Sequence, residues 1–413
     1  MDAAQTLNAT LESHHPAAAA CLSRVGKRMF FPMGIPAQAG EAKSAAINAT
    51  IGQLTDGRGS ALPLPAISKH IANLSLEQTT LYTPQGGNKD LRAAWLAKLK
   101  TTGDGPMTLP FCTVGLTHGL SLLADLFVDE ETDVLLPNPG WGNYDLIFGV
   151  RGGGRIHRYP VLKNDQFAHD AIDDALSAID TKGVLVLNFP GNPTGYTPTA
   201  AELKPWIDAI QRCTKPMVVI CDDAYHGFLY ESGLQERSVF HELSQTPRHN
   251  VLTAKVDGAT KEMCFFGGRV GFVTFGTDGA TADALEAKLK GMARANISTA
   301  SATSQAMVLS ALNNPNLASQ QSELLELGRD RYLCLKDALS KAGLSCSPFN
   351  SGFFALVPVN GDVDALRKRL LKRGVGVVAF PQHKAIRIAF SSTAIEDIPV
   401  LVTTIAEEIE NLV

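Results

Sequence analysis

The chain has 413 residues, 45% of them hydrophobic and 19% charged, enough for one large or two medium domains with a full core. A formal net charge of −4 gives no electrostatic reason to expect nucleic acid or an anionic membrane as a partner. No apolar run is long enough to span a bilayer, no basic and apolar leader opens the chain, and the seven scattered cysteines form no CxxC pair. A soluble cytoplasmic protein with reduced thiols and no metal site is expected.

The first forty residues look like an arm. HHPAAAACLSR reads as helical, and FFPMGIPAQAG, rich in Pro and Gly, as irregular. LPAISKHIANL reads as a helix, and LYTPQGGNKDLRAAWLAKLK as a turn followed by a helix. Strand-like runs then follow in CTVG, DVLLPNPGW, GVLVLNFPGNPTG, MVVICDDAYHG, NVLTAKVDGATK and RVGFVTFG, several ending in a polar or glycine-rich corner. Helical stretches such as LTHGLSLLADLFV and TAAELKPWIDAIQRC lie between them. RGGGR at 151–155 lacks the Lys-Ser/Thr of a phosphate loop and reads as a turn linking strands. Strand, corner and helix in alternation predict an α/β sheet with helices on both faces. After about residue 300, ATSQAMVLSALNN and SQQSELLELGRDRYLCLKDALSKAG read as helices, the second long enough to bridge two domains. GFFALVPV, GVGVVAF and AIRIAFSS read as strands, with helix DVDALRKRLLKR between the first two. The expected division is an arm and part of a small domain over 1–60, a large domain over 61–325, and a small α/β domain over 326–413.

In open sheets of this kind ligands sit at the carboxyl ends of the strands, so the corners are where chemistry is expected. NFPGNPTG offers Asn192, CDDAYHG offers Asp222 and Tyr225, DGATK offers Lys261, GGRVG offers Arg269, and PGWGNY offers Trp141. A carboxylate, a phenol, an amide, an amine, a guanidinium and an indole suit an anionic, aromatic, carbonyl-bearing cofactor, and pyridoxal phosphate fits each. A lysine bonds its aldehyde and an acidic residue partners the pyridinium nitrogen. Asn192 and Tyr225 can donate to the ring oxygen, Arg269 suits phosphate by bidentate geometry, and Trp141 can stack on the ring.

Taken singly, each has a plainer reading. Asn-Pro is a turn, an Asp pair after a strand is a helix cap, and a lone Trp is core or rim. Lys255 is the rival lysine, but it lies within a strand and fourteen residues from Arg269, whereas Lys261 is eight residues away. Cys221 and Cys264 flank the corners without a paired base and read as packing thiols. The joint order and spacing favour the functional reading.

NPTG, then D-x-A-Y, then a lysine with an arginine eight residues on, resembles the class I aminotransferases of fold type I, the aspartate aminotransferase family. PGWGNY and LYTPQGGNKDLR add to the resemblance, which runs from about Ile47 to Ser392. It implies a large domain with a mostly parallel seven-stranded sheet flanked by helices, a smaller α/β domain, pyridoxal 5′-phosphate as cofactor, and a homodimer with shared active sites. It implies that Lys261 bonds the cofactor and then moves the substrate proton. Asp222 and Tyr225 would assist in catalysis, and Thr117 and His118 would occupy the phosphate corner. Tyr82 would reach the neighbouring subunit's phosphate, and Arg387 would clamp the substrate α-carboxylate. Gly52, Asn192 and Trp141 would contact substrate. Arg294 falls where such enzymes present an arginine across the dimer to a side-chain carboxylate.

Two departures stand out. Gly258, after Asp257, takes the place where the family often has a phosphate-touching serine, a role Thr260 could share. Tyr144 stands where aspartate-specific members often carry a histidine behind the pyridinium aspartate. The expected activity is transfer of an amino group between an L-amino acid and a 2-oxo acid by a ping-pong cycle, with aspartate or glutamate, or aromatic amino acids, as donors. The rival is a β-lyase or another non-transaminating enzyme on the same scaffold. A regulator built on this fold would need a DNA-binding domain ahead of INATIG, where fewer than fifty residues stand.

Overall fold

A computed structural model describes residues 3–31, 34–69 and 71–412. Its centre is a seven-stranded sheet made of β1 (Phe111–Val114), β2 (Thr132–Asn138), β3 (Arg155–Pro160), β4 (Lys182–Leu187), β5 (Met217–Asp222), β6 (Val251–Asp257) and β7 (Val270–Phe275). The spatial order is β1-β7-β6-β5-β4-β2-β3. β7 runs antiparallel to both its neighbours, and the other pairings are parallel. The α/β sheet expected from the alternating pattern is present, and so is the mostly parallel seven-stranded form that the family resemblance implies.

Parallel strands are covered on both faces and read as unbroken apolar runs. MVVICD of β5 is buried at every position, and KGVLVL of β4 at all but its first. Alternate residues feed two different cores. Val218, Ile220, Ala254 and Val256 pack with Leu116, Leu120 and Leu123 of helix α2 (Gly115–Phe127). Met217, Val219 and Cys221 pack with Leu203, Trp206 and Ile210 of helix α3 (Ala200–Arg212) on the opposite face. Thr199 and Glu202 close a reciprocal capping box at the start of α3, an arrangement worth about 1 kcal/mol. Helix α1 (Lys89–Lys100) buries Leu91, Trp95 and Leu99.

A second, three-stranded antiparallel sheet holds β8 (Phe354–Pro358), β9 (Val378–Phe380) and β10 (Ala385–Ala389), ordered β8-β10-β9. The helix Leu317–Lys341 precedes it, and Val363–Lys372 and Ile398–Glu410 pack nearby. The segment Ile47–Asn48 pairs in parallel with Val375–Gly376, so residues near the start of the chain join this C-terminal unit.

Three local expectations change. IPAQAGE, inside the stretch read as irregular, is a helix over Ile35–Glu41, because Pro36 falls in its first turn, where no backbone donor is needed. Pro32 and Met33 of the same stretch lie outside the described residues. The helix expected over LPAISKHIANL is a four-residue turn of helix at Pro65–Ser68 and a 3₁₀ turn at Ile71–Asn73, with His70 outside the described residues. RIHRYP, given no element from sequence, is edge strand β3 directly after the RGGGR turn. Only Tyr159 is fully buried there, while Arg155, Arg158 and His157 face outward or the rim, so no apolar alternation marks it.

Candidate active site

The carboxyl ends of β5 and β6, the start of α2 and the small sheet enclose a cavity of about 400 Å³. Its wall includes Gly52, Thr117, Trp141, Asn192, Asp222, Tyr225, Thr260, Lys261, Arg269 and Arg387. Ten residues picked from separate corners of the sequence thus meet in one place.

Asp222 ends β5 and is buried. One of its carboxylate oxygens, Oδ2, accepts a 2.6 Å hydrogen bond from the Tyr144 phenol. The other, Oδ1, is buried and has no partner among the described residues. Burial lifts the Asp222 pKa to about 6, against the opposing pull of the Tyr144 hydrogen bond and the Lys261 charge. Tyr144 is itself fully buried, and burial next to Asp222 holds its phenol well above the usual range, so it serves only as a donor. Hydrogen bonds to charged groups are worth about 1.5–3 kcal/mol. Tyr144→Phe should therefore raise the Asp222 pKa by about one pH unit. Infrared titration of the buried carboxyl band checks this, and an unmoved midpoint would show that the phenol does not tune the acid.

Lys261 sits on the short helix Ala259–Glu262 that follows β6. Its ammonium lies 5.4 Å from the centre of the Tyr225 ring. Burial depresses its pKa to about 8, with Asp222 opposing and Arg269 adding to the fall. A lysine near 8 keeps a useful fraction of free amine at neutral pH, which a nucleophile needs.

Eight residues on, Arg269 follows a 3₁₀ turn at Phe266–Gly268 and adopts a left-handed backbone, φ 53°. It donates to the Phe266 carbonyl at 3.1 Å. Its guanidinium stands over the first residue of α2, where Gly115 has φ +72°. A Cβ on Gly115 would lie 2.5 Å from Arg269 Nη2. A helix N-terminus, a guanidinium and the Thr117 side chain therefore converge in the cavity, a suitable cradle for an anion. Thr260 contributes a buried hydroxyl with no partner among the described residues.

The glycine at 258 has a steric cause. A Cβ there would lie 2.5 Å from the Val270 carbonyl oxygen and 2.6 Å from Gly271 Cα. β6 and β7 are antiparallel neighbours at this point, so no side chain, serine included, fits without moving the backbone. Asp257 turns away from the cavity, accepting a 3.1 Å bond from Trp95 Nε1.

At the small-domain side, Arg387 on β10 is buried. It donates to the Thr50 carbonyl at 2.7 Å and to Asn192 Oδ1 at 3.1 Å, and its Cζ lies 4.2 Å from the Phe354 ring centre. No carboxylate pairs with it, and its Nε has no partner among the described residues. Burial lowers its pKa to about 10, leaving it charged at neutral pH. A buried, unneutralised guanidinium in a cavity wall is chemically suited to an incoming carboxylate. Asn192 Nδ2 stands 3.4 Å from the Tyr225 hydroxyl, and Trp141 meets Tyr144 edge-on at 5.4 Å.

Three residues picked from the sequence do not line the cavity. His118 uses Nδ1 to accept from the Val114 N–H at 3.1 Å, and burial lowers its pKa, so it acts as a neutral brace at the start of α2. Tyr82 is 90% exposed, and Arg294 is exposed and donates to Ser298 Oγ at 2.9 Å. Sequence reasoning missed Asn188, whose amide donates to the Asp222 carbonyl at 2.8 Å and whose oxygen accepts from the Asn192 N–H at 2.9 Å. Its only signal was a second Asn in NFPGN. It also missed Phe354, the plate under Arg387. Among the described residues no cluster of His, Cys, Asp and Glu is arranged to hold a metal ion, and no helix is long and apolar enough to cross a membrane.

A buried lysine and carboxyl at the strand ends of an α/β sheet, an anion cradle and a buried arginine on the small sheet share one cavity, a set of groups suited to amino-group chemistry. The family described as aminotransferase class I and II matches residues 45–405. The chain belongs to this family; it is an aminotransferase. Among curated relatives, an aspartate aminotransferase of Bacillus subtilis is 26% identical over 60% of this chain, an alignment that spans 61% of the relative's length. An aspartate/prephenate aminotransferase of Thermus thermophilus is 25% identical over 80% of this chain and 84% of its own. A solved aminotransferase from Anaerococcus prevotii superposes with a TM-score of 0.84 at 22% identity, covering 93% of this chain and 98% of the other, which shows the shared fold.

Proposed function

We propose that the chain carries pyridoxal 5′-phosphate in this cavity and works by a ping-pong cycle on amino acids and 2-oxo acids. The observation that carries the reading is Asp222 Oδ1, a buried carboxylate oxygen without a partner among the described residues, in the same cavity wall as a depressed-pKa lysine. The cofactor supplies an aldehyde that takes up an amine and a ring that accepts electrons. Asp222 would hold a proton on the ring nitrogen, and that positive charge would draw the carboxyl below its value of about 6. Arg269, Thr260, Thr117 and the N–H groups at the start of α2 would hold the phosphate. Tyr225 and Asn192 would donate to the ring oxygen, and Trp141 would cover the ring. Lys261 would bond the aldehyde, leave when substrate amine arrives, and carry the proton to and from the substrate Cα.

Arg387 would bind the α-carboxylate against the Phe354 ring, with Asn192 and Gly52 alongside. Arg387→Lys should raise KM for amino donors by about 10–100-fold, since lysine cannot make the planar two-point contact. Steady-state kinetics at saturating oxo acid measure this, and an unchanged KM would remove Arg387 from substrate binding.

Relatives named for aspartate and prephenate make dicarboxylic substrates the first candidates. Ile35, Ile51, Phe266 and Phe354 in the wall suit apolar or aromatic side chains as well. Arg269 and Arg387 are the arginines of this wall, so a side-chain carboxylate would need a further cation, which Arg294 of a second copy could provide. A homodimer is supported by exposed apolar residues at Ile71, Leu76 and Leu81 beside Tyr82. The arm, large-domain and small-domain division and a cytoplasmic location belong to the same proposal. Aspartate, phenylalanine and alanine should each be added to the loaded protein without oxo acid. Conversion of bound cofactor to its pyridoxamine form by at least one supports the reading; none converting would favour the β-lyase alternative.

A further inference from the structure

Directly behind Asp222 lies a group of charges that the proposed chemistry does not use. Lys255, in the middle of the sheet on β6, is only 1% exposed. Its ammonium is paired with Asp223 Oδ2 and stands 3.6 Å from Asp257 Oδ2. The register puts Lys255 beside Cys221, and Asp222 beside Val256. Side chains alternate along a strand, so Cys221, Asp223, Lys255 and Asp257 share one face of the sheet while Asp222 points through the other. Cys221 packs in the core under α3, and Val256 in the core under α2, which agrees with that division.

The trio joins the two strand ends that carry the site. Asp223 immediately follows Asp222, and Asp257 comes four residues before Lys261. The Asp223 N–H also donates to the Val256 carbonyl at 3.0 Å. The trio is fully enclosed. Ser238 donates to Asp223 Oδ2 at 2.5 Å, and Trp95 donates to Asp257 Oδ1 at 3.1 Å. From α1, Lys98 stands nearby with its own partner, Glu262, at 2.7 Å. Burial, with the Lys255 charge adding, lowers the pKa of His226 to about 3 and of His241 to about 4, so both stay neutral. Burial and Asp223 push the Cys221 thiol well up, so it too is neutral. Burial lifts the Asp257 pKa to about 6 against the pull of Lys255, so above that pH, with Lys98 and Glu262 cancelling, two carboxylates and one ammonium leave one net negative charge behind the cavity.

We propose that Asp223, Lys255 and Asp257 form an electrostatic base plate, with Lys255 as its positioning residue, that ties the ends of β5 and β6 and sets proton affinity at Asp222 and at the Lys261–cofactor linkage. The proposal rests on reading the cavity as a pyridoxal phosphate site. In support, the Asp223 charge already acts to raise the Asp222 pKa. Removing a carboxylate from the plate makes the site less negative and protons there less tightly held. Removing the ammonium does the reverse.

The test is a pH titration of bound-cofactor absorbance in loaded protein, with melting temperature measured alongside. Asp223→Asn should lower the midpoint by about half to one pH unit, and Lys255→Met should raise it by a similar amount. The double variant, with one carboxylate and no ammonium, should return to the wild-type midpoint. Both single variants should melt lower, so a plate of purely structural value would lower melting temperature and leave both midpoints in place. Unmoved midpoints, or shifts of the same sign, would overturn the proposal. If Lys255→Met does not fold, the direction of the Asp223→Asn shift decides alone. Wild-type protein that shows no bound-cofactor absorbance at all would overturn the cofactor reading, and this proposal with it.

Discussion

Lys261→Ala should lower kcat/KM for any amino donor by about 10⁴-fold or more, with loss of the absorbance of covalently held cofactor. Two functions disappear together. The first is the proposed nucleophile, whose burial has brought its pKa to about 8. The second is the proposed base that would return a proton to the substrate, and general acid–base catalysis alone is commonly worth about 10²–10⁴-fold. No other amine replaces it. Lys255 is on the opposite face of the sheet, engaged with Asp223 and Asp257. The fold should survive, since burying an ammonium beside Arg269 costs stability rather than supplying it. Circular dichroism of the variant should match wild type, and residual activity near the wild-type level would contradict the role.

Asp222→Asn should lower kcat by about 10³-fold while leaving KM within a few-fold. An amide cannot stabilise a protonated ring nitrogen, and a preorganised charge in a buried site is worth several kcal/mol at the transition state. The same change should stabilise the cofactor-free protein. Burial raises Asp222 in the folded state to about 6, above its ordinary value of 3.8. A raised folded pKa means the group's contribution is present below about pH 4 and is lost as pH climbs through 6. At pH 7.5 the wild-type chain therefore carries a cost of about 3 kcal/mol that asparagine removes. Melting temperatures should coincide at pH 4 and diverge at pH 7.5, with the variant higher. A variant that melts lower at pH 7.5 would show that Asp222 is not held against its charge.

What could be read from the sequence followed physical regularity. β4, β5 and β6 are apolar runs because both faces of a parallel strand are covered, so their composition alone marks them. The corners at Asn192, Asp222, Lys261 and Arg269 carry reactive side chains where strands end, and the structure gathers them around one cavity. Edge strand β3 was hidden because it carries charged residues on both faces, Arg155 and Arg158, which pair with Asp133 and Asp145. The helix at Ile35–Glu41 was hidden by a proline that its first turn tolerates. Relations across long stretches of chain were hidden most of all. The glycine at 258 makes sense only once Val270 is seen against it. The value of Tyr144 lies in its bond to Asp222, seventy-eight residues on. Lys255 reads from sequence as a strand residue, and its pairing with Asp223, thirty-two residues away, exists only in the fold. Tyr82 and Arg294 point outside this chain's own cavity, so their proposed roles depend on a second copy.

The central claim is that Lys261, and not Lys255, bonds the cofactor aldehyde. Protein incubated with pyridoxal 5′-phosphate, reduced with borohydride and digested should yield one peptide carrying the reduced adduct, and fragmentation by mass spectrometry should place it on Lys261 within DGATKEMCFFGGR. An adduct on Lys255, or on surface lysines alone, would contradict the account.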